Sequence, residues 1–88
     1  MRKISEIERE YSKFNNLMPS YISFAKMKME TNVLEALGVF KNAERFSKEM
    51  IEDAILLNDE EKVERAENLL KQSKDGIAAC KEKQEKTK

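Results

Sequence analysis

The stretch SYISFAKMKMETNVLEALGVFKNAERFSKEMIEDAILL, residues 20–57, decides the fold because its apolar residues recur at every third or fourth position. This spacing predicts a continuous apolar stripe along one face of an α-helix. The stripe consists of Ile22, Ala25, Met29, Val33, Ala36, Phe40, Ala43, Phe46, Met50, Ala54 and Leu57. The segments on either side are expected to form helices that cover it.

Two places in the sequence could interrupt this pattern. Pro19 has no backbone N–H and disfavours the α conformation in the preceding residue, so a first helix is expected to end near residue 18. Thr31 and Asn32 are weak helix formers, and Asn32 stands three residues before Glu35, which is the spacing of a capping box. The three- or four-residue spacing of apolar positions continues unchanged across these residues, however, and favours one long central helix over 20–57. A break at Thr31–Asn32 is the alternative.

The two flanking segments carry the same helical period. The first has the narrow 3-4 spacing of a coiled-coil seam, at Ile4, Ile7, Tyr11, Phe14 and Met18. The third helix is expected to start with Asn58 as its N-cap, so that the acidic residues after it meet the positive end of the helix dipole. It is expected to end near residue 82. Residues 1–82 then form a single helical domain, and the charged segment 83–88 is expected to be disordered because it has no apolar residue.

Together these elements predict an all-α fold, a small antiparallel bundle of three or four helices. With an unbroken central helix, the first and third helices would each cover one half of it, and the monomer would be two helices thick. Two helices cannot bury a stripe this wide, so a second copy or an unlike protein would have to cover the open side. A homodimer is the favoured interpretation. A broken central helix would instead allow the bundle to close on itself.

The composition argues against chemistry. The chain has 17 basic and 17 acidic residues, no histidine and one cysteine, Cys80. Without histidine it lacks the usual general base and the usual nitrogen ligand for metals, so we expect no enzyme activity, no cofactor and no metal site. Carboxylates such as Glu49, Glu52 and Asp53 are interpreted as a solvated face, and Cys80 as a small core residue.

The sequence also bears on location. No run of apolar residues approaches the length of a membrane-spanning helix. The N-terminal residues also lack the apolar segment of a signal peptide. We therefore expect a cytoplasmic protein that does not bind membranes.

The segment Tyr21–Met29 is the candidate binding surface. It combines aromatic side chains, which anchor interfaces, with flexible methionines, which adapt to partners. If the first helix covers Ile22 and Ala25, then Tyr21, Phe24 and Met27 point away from the core. These three residues predict a protein-interaction module, such as an adaptor, co-chaperone or inhibitor, that presents an apolar helical face to a protein partner or to itself.

The alternative function is a dimeric nucleic-acid-binding regulator. Lys41, Arg45 and Lys48 are spaced to lie on one helix face, which could contact a phosphate backbone. Glutamates stand among them, no aromatic residue is interleaved for base stacking, and the formal net charge of the chain is zero. These features favour an ordinary charged surface.

Overall fold

The computed structural model describes residues 2–86, which form three α-helices joined by short turns. The first helix, α1, spans Ile4–Lys28; α2 spans Val33–Leu56; and α3 spans Glu60–Lys86. No β-strand occurs within residues 2–86. The predicted all-α class is therefore confirmed, but several of the predicted helix boundaries are wrong.

Pro19 lies inside α1 and does not end it, which corrects the predicted boundary near residue 18. A proline inside a helix leaves the carbonyl group four residues earlier without its amide donor, at a cost of about 3 kcal/mol. The packed face of α1 nevertheless continues across Pro19, because Met18, Ile22 and Ala25 are all buried. Pro19 itself is exposed, so its ring does not disturb the core. Burial of the apolar side chains beyond it offsets the lost hydrogen bond.

Residues 29–32 form a turn between α1 and α2, so the predicted continuous helix over 20–57 is wrong and the alternative break at Thr31–Asn32 is confirmed. Asn32 is the N-cap of α2, and its side-chain oxygen accepts a hydrogen bond from the Glu35 backbone N–H at 3.1 Å. Its side-chain amide lies 3.4 Å from the Glu35 carboxylate, which completes a reciprocal contact. The break adds no fourth helix, because the segment before it belongs to α1.

The turn between α2 and α3 places its cap one residue later than predicted. Asn58 has a positive φ of 54°, a conformation that asparagine tolerates better than most residues. The N–H groups of Asn58 and Asp59 donate to the carbonyls of Ile55 and Ala54, which is the Schellman pattern of a helix end. Asp59, rather than Asn58, is the N-cap of α3, since its carboxylate accepts from the Lys62 N–H at 3.2 Å. The hydrogen bonds that the Asp59 carboxylate accepts from Lys62 lower the pKa of Asp59.

The end of α3 also differs from the expectation. The helix continues to Lys86, beyond the predicted end near residue 82, so the predicted tail is helical over 83–86. The Lys83 ammonium group donates to the Met29 carbonyl at 3.1 Å and ties this part of α3 to the turn after α1. Residues 87 and 88 of the predicted tail lie outside the described residues.

Both α1 and α3 pack on α2, and they contact each other much less. The described residues extend over 49 × 20 × 17 Å. The predicted stripe supplies much of the core, where the buried members are Ile22, Ala25, Ala36, Phe40, Ala43, Met50 and Ala54. Ile4 was expected in the first helix's seam but is 66% exposed, because α1 begins there.

Gly76 determines how closely α3 can approach α2. A Cβ atom at position 76 would lie 2.3 Å from the ring of Phe40, which is itself fully buried. The absence of a side chain at Gly76 therefore makes room for Phe40, the largest fully buried side chain of the core.

Candidate protein-binding surface

A row of apolar side chains lies along one flank of α1 and stays in contact with solvent. Leu17, Phe24 and Met27 are 41%, 39% and 61% exposed, and Tyr21 is half-buried. Their spacing of three or four residues keeps them on the same flank over about 15 Å. We call Leu17, Tyr21, Phe24 and Met27 the α1 row. The three predicted binding residues thus lie together, although they belong to α1 itself and not to a central helix beneath it.

Within this flank, four residues surround a shallow depression of about 350 Å³. Its lining residues, Leu17, Ser20, Tyr21 and Phe24, occupy positions i, i+3, i+4 and i+7 of the helix. Four residues at these positions form the hole that receives a knob side chain when helices pack together. Ser20 has the smallest side chain of the four, which leaves space between its larger neighbours. The depression is therefore suited to one apolar side chain from another helix.

Aromatic contacts with α2 hold the base of this surface in place. The Tyr21 ring lies 5.6 Å from the Phe46 ring, and Phe14 stacks on the same Phe46 ring at 5.1 Å. Such ring pairs add stabilisation beyond the area they bury. The Lys28 ammonium group lies 5.5 Å from the centre of the Phe24 ring, at the edge of the row. The surface is thus formed in the isolated chain and needs no partner to assemble it.

The three basic residues of the alternative function are also exposed, on the outer face of α2. Arg45 packs its guanidinium group 5.5 Å from the Phe46 ring, so part of this side chain serves the fold. Glu52 is exposed on the same helix, and Glu44 is half-buried. The nucleic-acid role of Lys41, Arg45 and Lys48 stays a prediction.

A buried carboxylate in α2 corrects the interpretation of Asp53 as part of a solvated face. The Asp53 side chain is only 3% exposed, and its Oδ1 atom lies 3.4 Å from the Arg2 guanidinium group. Arg2 also pairs with Glu10. Within the described residues, Asp53 Oδ2 has no hydrogen-bond partner. Burial, reinforced by the nearby Glu10 carboxylate and opposed by Arg2, raises the pKa of Asp53 to about 6.

The sequence contains only a weak signal for this buried group. Asp53 precedes Ala54 of the apolar stripe and stands three residues after Met50, so it lies at the edge of the packed face. Charged residues at such edges usually reach solvent. Asp53 does not, because Glu10 of α1 and Arg2, which precedes the helix, lie against it.

Cys80 is a free thiol and is fully buried, which confirms its predicted place in the core. Desolvation raises the pKa of this thiol. Among residues 2–86, no group of three His, Cys, Asp or Glu side chains could hold a metal ion. The same part of the chain contains no helix that is both long and apolar enough to cross a membrane.

Ile4 and Leu56, both exposed, line a second depression, and the other exposed apolar residues outside the α1 row are Leu34 and Ile55 of α2. The depression beside Ile4 is lined partly by charged residues, including Glu8 and Lys62. Interfaces are depleted of charged residues at their centres. The α1 row is therefore the better candidate for a binding surface.

No protein-family model matches the chain, and neither the curated proteins nor the solved structures provide a match. The function must accordingly be argued from the surface itself.

Proposed function

We propose that this chain is a non-enzymatic, cytoplasmic protein-interaction module that uses the α1 row to bind a protein partner or a second copy of itself. The supporting observation is that four residues of α1, Leu17, Tyr21, Phe24 and Met27, form one row beside a depression of helix-packing geometry, away from the exposed Ile4 at the start of the helix. Scattered apolar residues on a surface need no explanation, whereas a contiguous group is typical of an interaction site.

The way the bundle closes supports this choice of surface. Contacts at both ends of the first two helices favour an antiparallel order: Arg2 reaches Asp53, and Lys28 lies 3.8 Å from Glu35. In this arrangement the three helices bury seven of the eleven stripe residues, and Met29, Val33 and Phe46 are partly buried against them. The α1 row is left over, so its exposure is not a consequence of an incomplete core.

Affinity capture can test the proposal. Tagged wild-type protein serves as bait in an extract of the cells that produce it, and bound proteins are identified by mass spectrometry. Phe24→Asp and Met27→Asp each put a carboxylate into the α1 row. Ser12→Asp is the matched control, because Ser12 is an exposed α1 residue beside Glu8 and Lys62, away from the row.

We expect the wild type and Ser12→Asp to retain the same proteins, or further copies of the chain. The two row variants should retain them at least roughly tenfold less well, as expected when an anchor residue is lost. Equal retention by all four baits would contradict the proposal. Retention of nothing by the wild type, in a chain that is also monomeric, would contradict it as well.

A further inference from the structure

We infer that the occupant of the hole on α1 is the α1 helix of a second copy, packed antiparallel, with Phe24 of each copy inserted into the hole of the other. The inference rests on the proposed function, since it names the partner of the same surface. Each copy would then provide both the knob and the hole, as a two-fold symmetric interface requires.

The spacing of the residues that line the depression suits a helix as the occupant. A hole at i, i+3, i+4 and i+7 matches the spacing at which a facing helix presents its knobs. Phe24 is well placed to be such a knob, because it borders the hole and is 39% exposed in the isolated chain. The α1 row extends beyond the hole on one side, where Met27 follows Phe24.

In an antiparallel dimer, the α1 row of one copy packs against the α1 row of the other. When Phe24 lies opposite Ser20 of the second copy, Leu17 lies opposite the second copy's Met27, because the helical rise is the same in both chains. Each exposed apolar side chain of the row then faces an apolar or small residue, and the large Phe24 ring faces the smallest member of the hole.

The charges favour this direction over the parallel one. Lys13 and Lys28 stand one turn before Leu17 and one turn after Phe24, on the same flank as the row. A parallel pair would bring each lysine against its own copy and would repel at both ends. In the antiparallel register, Lys28 lies opposite Asn16, and Lys13 lies beyond the end of the second copy's α1 helix. The formal net charge of zero adds no general repulsion between copies.

The first experiment measures the molar mass of the full chain by analytical ultracentrifugation over a wide concentration range. A pair of single helices over three turns is a small interface, so we expect a dimer that dissociates on dilution. Phe24→Asp and Met27→Asp should each weaken dimerisation by roughly tenfold or more, whereas Ser12→Asp should leave it unchanged. Circular dichroism checks that each variant is folded, and the two row variants serve as replicates if one of them is not.

The second experiment tests the register. Leu17→Cys and Met27→Cys are prepared separately, mixed and oxidised; the native Cys80 does not interfere, because it is buried. We expect a disulfide-linked dimer in the mixture and none with either variant alone, because like positions are about 15 Å apart along the antiparallel pair. A parallel pair would give a disulfide-linked dimer with each variant alone and would overturn the proposed arrangement.

A monomeric wild type up to roughly 1 mM would also overturn the inference. The proposed function would survive that result if the capture experiment found an unlike protein that depends on Phe24 and Met27. Loss of both self-association and capture would remove the two proposals together, so their failures can be told apart.

Discussion

Replacing Asp53 by asparagine should stabilise the fold at neutral pH. The substitution keeps the shape of the side chain and removes a charge that α1 and α2 enclose almost completely. One pKa unit corresponds to about 1.4 kcal/mol. A rise in the pKa of Asp53 from 3.8 to about 6 therefore means that the carboxylate disfavours the folded state by up to about 3 kcal/mol at pH 7. Since the new amide also needs partners, we expect Asp53→Asn to raise the free energy of unfolding by about 1–3 kcal/mol.

The pH dependence of this gain distinguishes a charge effect from a packing effect. The pKa of Asp53 is higher in the folded than in the unfolded chain, so the folded state binds more protons between pH 4 and 6. The contribution of Asp53 is thus most favourable below pH 4 and is lost as the pH rises through about 6. The difference between Asp53→Asn and wild type should accordingly be largest above pH 6 and shrink toward zero near pH 4.

Urea denaturation of both proteins, at several values between pH 4 and 8, measures this difference directly. Glu52→Gln is the matched control, because it removes a carboxylate from the neighbouring, exposed position and should change the free energy by less than about 0.5 kcal/mol. A lower stability of Asp53→Asn at pH 7 would refute the reasoning. It would mean that the ion pair between Arg2 and Asp53 outweighs the cost of burying the carboxylate.

Three further predictions concern the backbone and the basic face. Gly38→Ala should raise the free energy of unfolding by about 0.5–1 kcal/mol, since nothing lies within 4 Å of the added Cβ. Gly76→Ala should lower the free energy of unfolding by about 1–3 kcal/mol, because its Cβ displaces the Phe40 ring. Urea denaturation of both variants tests the contrast. Pro19→Ala should stabilise α1 by about 1–3 kcal/mol by restoring a backbone hydrogen bond, and a loss of stability would indicate that the packing of α1 depends on the proline. Reversing the charges of the three basic α2 residues should leave duplex DNA binding weak in low salt, as in wild type; salt-sensitive binding that the reversal abolishes would instead support the alternative function of Lys41, Arg45 and Lys48.

The apolar period was enough to predict the helical class and most of the core. Ala36, Phe40 and Met50 are buried as their spacing predicts. The same period could not locate the turns. A short turn between packed helices can return the chain with its apolar face still inward, so the unbroken phase across Thr31 did not require an unbroken helix. The capping geometry of Asn32 was the better guide, because it satisfies backbone donors that only a helix start leaves free.

Local rules failed where tertiary burial outweighed them. Pro19 is tolerated because residues on both sides of it are packed on α2, and this gain is not visible in the residues next to the proline. The sequence indicated only part of the candidate surface, because the rest of it depends on tertiary structure. Phe24 and Met27 stood out by residue type, whereas the hole that they border depends on Leu17 and Ser20 and on the continuation of α1 beyond Pro19.

Cys80, the buried thiol near the end of α3, can report how often the helical bundle opens. Only the thiolate reacts with alkylating reagents, and burial both shields the sulfur of Cys80 and raises its pKa. Modification must then wait until α3 separates from the rest of the bundle. The labelling rate, followed by mass spectrometry, therefore measures how often that separation occurs, without any engineered probe. Any ligand or second copy that holds the bundle closed would slow the same reaction, even when it binds far from the sulfur.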